Sequence, residues 1–128
     1  MRVLLDTHVL LWALADPARL SQKAAQLLLN TNNSPVISSA SVWELAIKFQ
    51  AGKLPQAGVV LSRLEYSLAR LGAAELQISH AHAVKAASLP LHHKDPFDRM
   101  LIAQTIAEGL PLISADAVFQ DYEVLTVW

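Results

Sequence analysis

The chain has 128 residues, 53% hydrophobic and 16% charged, which is the make-up of one compact domain spanning 1–128 and not of a linker or a disordered tail. It has no cysteine, which excludes disulfides, thiolate catalysis and zinc–thiolate sites, and its formal net charge of -1 argues against coating nucleic acid by bulk electrostatics. The longest early apolar run, Val9 to Ala15, is far shorter than the ~18 residues of a membrane span, and Asp6 interrupts the first apolar stretch where a leader would continue. The expectation is a soluble, cytoplasmic protein with no membrane contact. Its mean hydropathy of +0.33 leaves apolar surface for a partner or a second copy.

Val3-Leu4-Leu5, stopped by Asp6, reads as a buried parallel strand, and a helix from Thr7 to about Ala15 follows, closed by Asp16-Pro17. Ser21 caps a second helix through Leu28, which fades into the turn-prone Asn30-Thr31-Asn32-Asn33. Val36-Ile37 is the next strand. A helix then starts near Ser41 and ends at Gly52, with Pro55 beyond it. Val60 to Leu71 is the clearest amphipathic helix, with Leu61, Leu64, Leu68 and Leu71 on one face. Leu76-Gln77-Ile78 is a strand and Ser79 to Ala87 a helix. Pro96 opens a long helix that runs to Glu108 and stops at Gly109. Leu112-Ile113-Ser114 is a strand, Ala117 to Asp121 a helical turn, and Val124 to Val127 a last strand. This alternation means an α/β domain with a largely parallel sheet, whose ligands bind outside the carboxyl ends of the strands.

Acids collect at that edge. Asp6 and Asp116 each follow a strand, Glu44 stands early in the helix after Val36-Ile37, and Asp95 and Asp98 bracket the helix start at Pro96. Each has an ordinary explanation. Ser41 to Glu44 has the form of a capping box, Asp95, Asp6 and Asp116 suit helix caps, Asp98 suits a positive first turn, and Glu44 can pair with Lys48 four residues on. Caps of different helices need not converge, however. Two carboxylates ~4 Å apart repel by roughly 4 kcal/mol at an effective dielectric near 20, so a converged group must raise its pKa values or take up a cation. All-oxygen ligands select a hard ion such as Mg²⁺ or Mn²⁺, the usual equipment for phosphodiester hydrolysis.

Four stretches together resemble a PIN-domain ribonuclease of the VapC toxin type: Val3-Leu4-Leu5-Asp6-Thr7-His8, Ser41 to Lys48, Asp95-Pro96-Phe97-Asp98-Arg99 through Ala103, and Leu112 to Asp116. The resemblance implies a single PIN-like α/β domain, with a parallel sheet of about five strands flanked by helices. It also implies a Mg²⁺- or Mn²⁺-dependent endoribonuclease, the toxin of a toxin–antitoxin pair, leaving 5′-phosphate and 3′-hydroxyl ends. By matching position, Asp6, Glu44, Asp98 and Asp116 form the catalytic and metal-binding quartet. Asp95 is a second or substitute acid, and the hydroxyls of Thr7 and Ser114 orient ligands or waters. Lys48, Lys94 and Arg99, beside the acids in sequence, are candidates for contacting RNA phosphates, with surface ion pairing as their equal alternative. The implied partners are an RNA substrate, a small cognate antitoxin and a second copy in a homodimer.

Other residues are assigned no chemistry. His80 and His82 are two apart on a helix and cannot face one ion. His92 and His93 lie in a polar loop, His8 at a pocket edge and Asp121 in a turn. Trp12, Trp43 and Trp128 are capable of stacking on bases, but two of them sit in apolar helix contexts, which assigns them to core or interface packing. Two other functions compete. A receiver-like phosphoacceptor domain normally carries paired acids after its first strand, whereas Asp6 stands alone. A catalytically inactive PIN-like binding module has no need of the retained acids.

Overall fold

Along the first strand the side chains alternate between two cores. The computed structural model describes all of residues 1–128. β1 (Arg2–Leu5) sends Val3 and Leu5 into one apolar cluster and Leu4 into another, all three fully buried. This is the two-residue period of a strand covered on both faces, and it explains why the run is continuously hydrophobic. β2 (Ser34–Ser38) repeats the pattern with Ile37 on the first face and Val36 on the second, and β4 (Leu112–Ile113) does so with Ile113 and Leu112. Register enforces it, because Leu4 stands level with both Val36 and Leu112. β3 (Ala74–Leu76) and β5 (Thr126–Val127) complete a five-stranded, all-parallel sheet in the order β3-β2-β1-β4-β5.

Helices cover both faces. α1 (Thr7–Ala15), α2 (Gln22–Leu29), α3 (Ser39–Gln50), α4 (Ala57–Ser62) and α5 (Leu64–Leu71) pack on the Val3–Leu5 side. α6 (His80–Ser88) and α7 (Pro96–Glu108) pack on the Leu4 side with Phe119 and Tyr122. Gly58 lets α4 approach α3, since a Cβ there would fall 2.7 Å from the Phe49 ring. Gly109 ends α7 with φ 65°, the left-handed geometry that favours glycine. No helix is long and apolar enough to cross a membrane.

Four expectations need correction. α3 begins at Ser39, directly after β2, and its cap is Ser38, whose Oγ accepts the Ala40 N–H at 3.0 Å. The expected Ser41–Glu44 capping box is therefore absent, and Glu44 lies in the second turn, buried. The Val60 to Leu71 helix is broken at Arg63 (φ −133°, ψ 44°) into α4 and α5, although Leu61, Leu64, Leu68 and Leu71 all pack on the same core as expected. The strands at 76–78 and 124–127 also shift, to Ala74–Leu76 and Thr126–Val127.

Candidate active site

Three of the four sequence-predicted acids, Asp6 after β1, Glu44 in α3 and Asp98 in α7, lie near enough for their charges to act on one another, and α3 packs on α7. Asp6 stands between β1 and α1. Its Oδ1 accepts the His8 N–H at 2.7 Å as a helix cap, and its Oδ2 accepts from Ser114 Oγ at 2.5 Å. Burial pushes its pKa up, against the pull of Ser114 and the His8 amide, and the negative charge of Glu44 pushes the same way. Glu44, 3% exposed, shares Oε2 with Lys48 Nζ at 2.5 Å, while its buried Oε1 has no hydrogen-bond partner. The Lys48 ammonium has its pKa raised, first by this hydrogen bond.

Asp98 sits in the first turn of α7. Burial raises its carboxyl pKa to about 6, opposed by a hydrogen bond with His93 and helped by the charges of Asp95, Glu44 and Asp6. His93 Nε2 lies 2.8 Å from Asp98 Oδ2. Asp95 caps α7, its Oδ1 accepting the N–H groups of Phe97 and Asp98. It is close enough to act on both Asp98 and Lys48 electrostatically. The acids that the sequence separates by as many as 92 positions thus share one electrostatic environment.

Asp116 is placed differently. It is exposed, its Oδ1 caps a short 3-10 turn (Ala117–Asp121) by accepting the Val118 N–H, and it lines a cavity of about 230 Å³ with Asp6, His8, Trp12 and Ala115. Ser114 joins the two acids, since its Oγ donates to Asp6 and accepts the Asp116 N–H. Asp116 therefore shares its cavity with Asp6 alone among the acids, and Glu44 and Asp98 do not line it. No three Asp, Glu or His side chains stand as a finished ion cage. Glu44 leans on Lys48, Asp98 on His93 and Asp6 on Ser114.

A model of the PIN domain matches residues 3–125, nearly the whole chain. The chain belongs to the PIN domain family. Among curated relatives, Ribonuclease VapC22 of Mycobacterium tuberculosis is 32% identical over 130 residues, covering 98% of each chain. Ribonuclease VapC16 of the same organism is 36% identical over 56 residues, 44% of this chain and 40% of that protein. Among solved structures, VapBC2 of Rickettsia felis bound to a promoter DNA fragment matches with TM-score 0.73 at 19% identity, over 99% of this chain and 98% of that one. FitAcB of Neisseria gonorrhoeae matches with TM-score 0.69 at 22% identity, over 100% and 97%. At those identities the structural matches speak to the fold. The family match displaces the receiver-like alternative.

The remaining sequence candidates in this PIN domain fall into place as follows. Thr7 Oγ1 donates to Ser41 Oγ at 3.0 Å, tying the start of α1 to α3, and Ser114 binds Asp6 directly. Lys94 is exposed, whereas Lys48 is committed to Glu44. Arg99 corrects the phosphate-contact reading. It is buried, and its terminal nitrogens donate to the carbonyls of Ala86, Leu89, Pro90 and His93, so it secures the segment between α6 and α7. His93, given no chemistry from sequence, is the partner of Asp98, and Tyr122 helps hold its backbone by accepting the His93 N–H at 3.0 Å. The available signal was a histidine five residues before a first-turn acid. His82 completes the cap of α6 with Ser79, in agreement with its rejection as a ligand. Trp43 lies outside the core, 61% exposed, in a T-shaped contact with the Phe97 ring.

Proposed function

We propose that this PIN domain is a Mg²⁺- or Mn²⁺-dependent endoribonuclease, the toxin of a toxin–antitoxin pair, that hydrolyses RNA phosphodiesters at Asp6, Glu44, Asp98 and Asp116. The observation that carries the reading is Glu44 Oε1, a buried carboxylate oxygen with no partner, set among other acids whose charges act on one another. An unpartnered buried acceptor costs about 1–3 kcal/mol, and more when charged, so its retention calls for a cation that compensates it. The donor set is all oxygen, which fits a hard divalent ion. Asp6, Glu44 and Asp98 would hold it, with exposed Asp116 acting from the cavity it shares with Asp6 and Asp95 in support. When bound, such an ion lowers the pKa of a coordinated water and stabilises charge on phosphate.

The protein's own contribution is positioning. Ser114 and the His8 amide fix Asp6, the Thr7–Ser41 bond fixes α1 against α3, and His93 fixes the rotamer of Asp98. Asp98, at about 6, is mostly ionised at neutral pH and so available as a ligand. Lys48 offsets part of the acids' charge, and exposed Lys94 is left to meet substrate phosphate. Products would carry 5′-phosphate and 3′-hydroxyl ends.

Several solved relatives are toxin–antitoxin complexes, and an apolar groove of about 410 Å³ lined by Val42, Trp43, Leu64 and Leu68 supports a small antitoxin as partner. A homodimer is proposed alongside, and size exclusion with and without a co-expressed neighbouring gene product tests both. The test of the activity is cleavage of RNA by purified protein with Mn²⁺ against EDTA. Asp6→Asn and Asp98→Asn must abolish it, and cleavage unchanged in those variants would assign the activity to a contaminant.

A further inference from the structure

The carboxyl edge of the sheet continues past the acids. Strand order sets Glu44 and Lys48 beyond β2, Asp6 beyond β1, Asp116 beyond β4, and Trp128 beyond β5. On the β5 side of Asp6 the edge becomes aromatic. His8 and Trp12, one helical turn apart on α1, have ring centres 5.9 Å apart, and Trp12 lies 5.8 Å from Trp128, tilted in both cases. None of the three is fully buried: Trp128 is 37% exposed and the His8 side chain 51%. The Trp12 indole borders two open cavities of about 230 Å³ each. One holds Asp6 and Asp116, and the other holds Arg19 and Gln56, with the Arg19 guanidinium carbon 5.1 Å from the Trp12 ring centre.

We propose that the His8–Trp12–Trp128 ridge is a nucleobase subsite, seating an unpaired base next to the phosphate held at the acids. The inference rests on the ribonuclease reading above and adds the part of the substrate that the acids cannot recognise. Aromatic faces accept any base by stacking, and the Arg19 guanidinium over the same indole suits the next phosphate or base along the strand. The aromatic rings and the guanidinium continue one sheet edge from the acids, which suits a single-stranded nucleic acid whose bases meet the rings and whose phosphate meets the cation; a protein segment bringing a basic side chain to the carboxylates is the competing outcome of the test. A base there fixes the register of the chain, so the ridge acts on which bond is presented, not on how it is broken.

The test uses a short oligoribonucleotide that the wild type cleaves at one bond, together with versions carrying an abasic residue on either side of that bond. Stacking of one base is worth ~1–3 kcal/mol, so one abasic position should raise KM about 5- to 150-fold with kcat little changed. Trp12→Ala should give a similar loss on the intact oligonucleotide and no further loss on the abasic one, with Trp12→Phe recovering most of it. His8→Ala, at an exposed position, and the abasic substrates on unaltered protein keep the test valid if Trp12→Ala folds poorly. A binding readout independent of activity is indole quenching by a 2′-O-methyl oligonucleotide in EDTA, in a Trp43→Phe background. Acid-dependent cleavage with KM indifferent to the abasic position and to Trp12 would overturn the subsite while leaving the nuclease standing. The same result with loss of a co-purifying antitoxin would reassign the ridge to protein binding. No acid-dependent cleavage at all would remove the ribonuclease reading and this inference with it.

Discussion

Replacing Asp98 with Asn should make the metal-free protein more stable at neutral pH. The Asp98 carboxyl has a pKa raised from 3.8 to about 6, chiefly by burial. In the folded state it therefore holds its proton over a window, about pH 4 to 6, in which the unfolded chain has already lost it. Stability falls as pH rises through that window, and the penalty is fully present above pH 6. Two units correspond to at most about 3 kcal/mol at 1.36 kcal/mol per unit. The side chain retains 21% exposure, and solvent screening reduces the figure to about 1–2 kcal/mol. An Asn keeps an acceptor for His93 and removes the charge. Urea unfolding in EDTA should show Asp98→Asn more stable than wild type by that amount at pH 7.5, with the gap closing as pH falls towards 4. Saturating Mn²⁺ should reverse the order, because ligand bound only to the folded wild type adds stability that the variant cannot gain. Equal stability at pH 7.5, or a gap insensitive to acid, would refute the claim that this acid is held against its own solvation.

Lys48→Met should destabilise the metal-free fold by roughly 2 kcal/mol, because it strands the buried Glu44 carboxylate, and Glu44→Gln in the same chain should recover most of the loss in denaturant unfolding. Arg99→Lys should cost about 2–3 kcal/mol, since a lysine cannot serve four carbonyls, and limited proteolysis should then cut within residues 89–95. Ser38→Ala should lower stability by about 1 kcal/mol through the lost cap. Ser41→Ala should couple to Thr7→Val in a double-mutant cycle whereas Ser38→Ala should not.

The order of elements was legible because strand and helix periods differ and because Asp-Pro, Gly-Leu and Ser-initiated helix starts carry their own geometry. Where the reading slipped, tertiary contacts decided between locally equivalent choices. Ser38, Ser39 and Ser41 are all competent caps. Ser38 takes the role because β2 runs directly into α3, which leaves the Ser41 hydroxyl to accept from Thr7, a residue 34 positions away. The 60–71 stretch has the leucine spacing of one helix, yet it turns at Arg63 and packs as two helices on the same core. The acids were visible as a set. What could not be read was their division into Asp6, Glu44 and Asp98, whose charges act on one another, and an exposed Asp116 that shares a cavity with Asp6, or the use of Arg99 to grip backbone carbonyls. Both depend on where a loop returns in space. His93 was passed over for the same reason: a loop histidine has no periodicity to reveal its facing residue.

The most direct test of the account is calorimetric titration of Mn²⁺ into the wild type and into Asp6→Asn, Glu44→Gln and Asp98→Asn, each without RNA. One shared ion requires all three substitutions to weaken binding at least about tenfold, with a smaller effect for Asp95→Asn, whose Oδ1 is engaged in capping α7. Undiminished Mn²⁺ affinity in the three variants would contradict a common site and leave those carboxylates as helix caps and ion-pair partners.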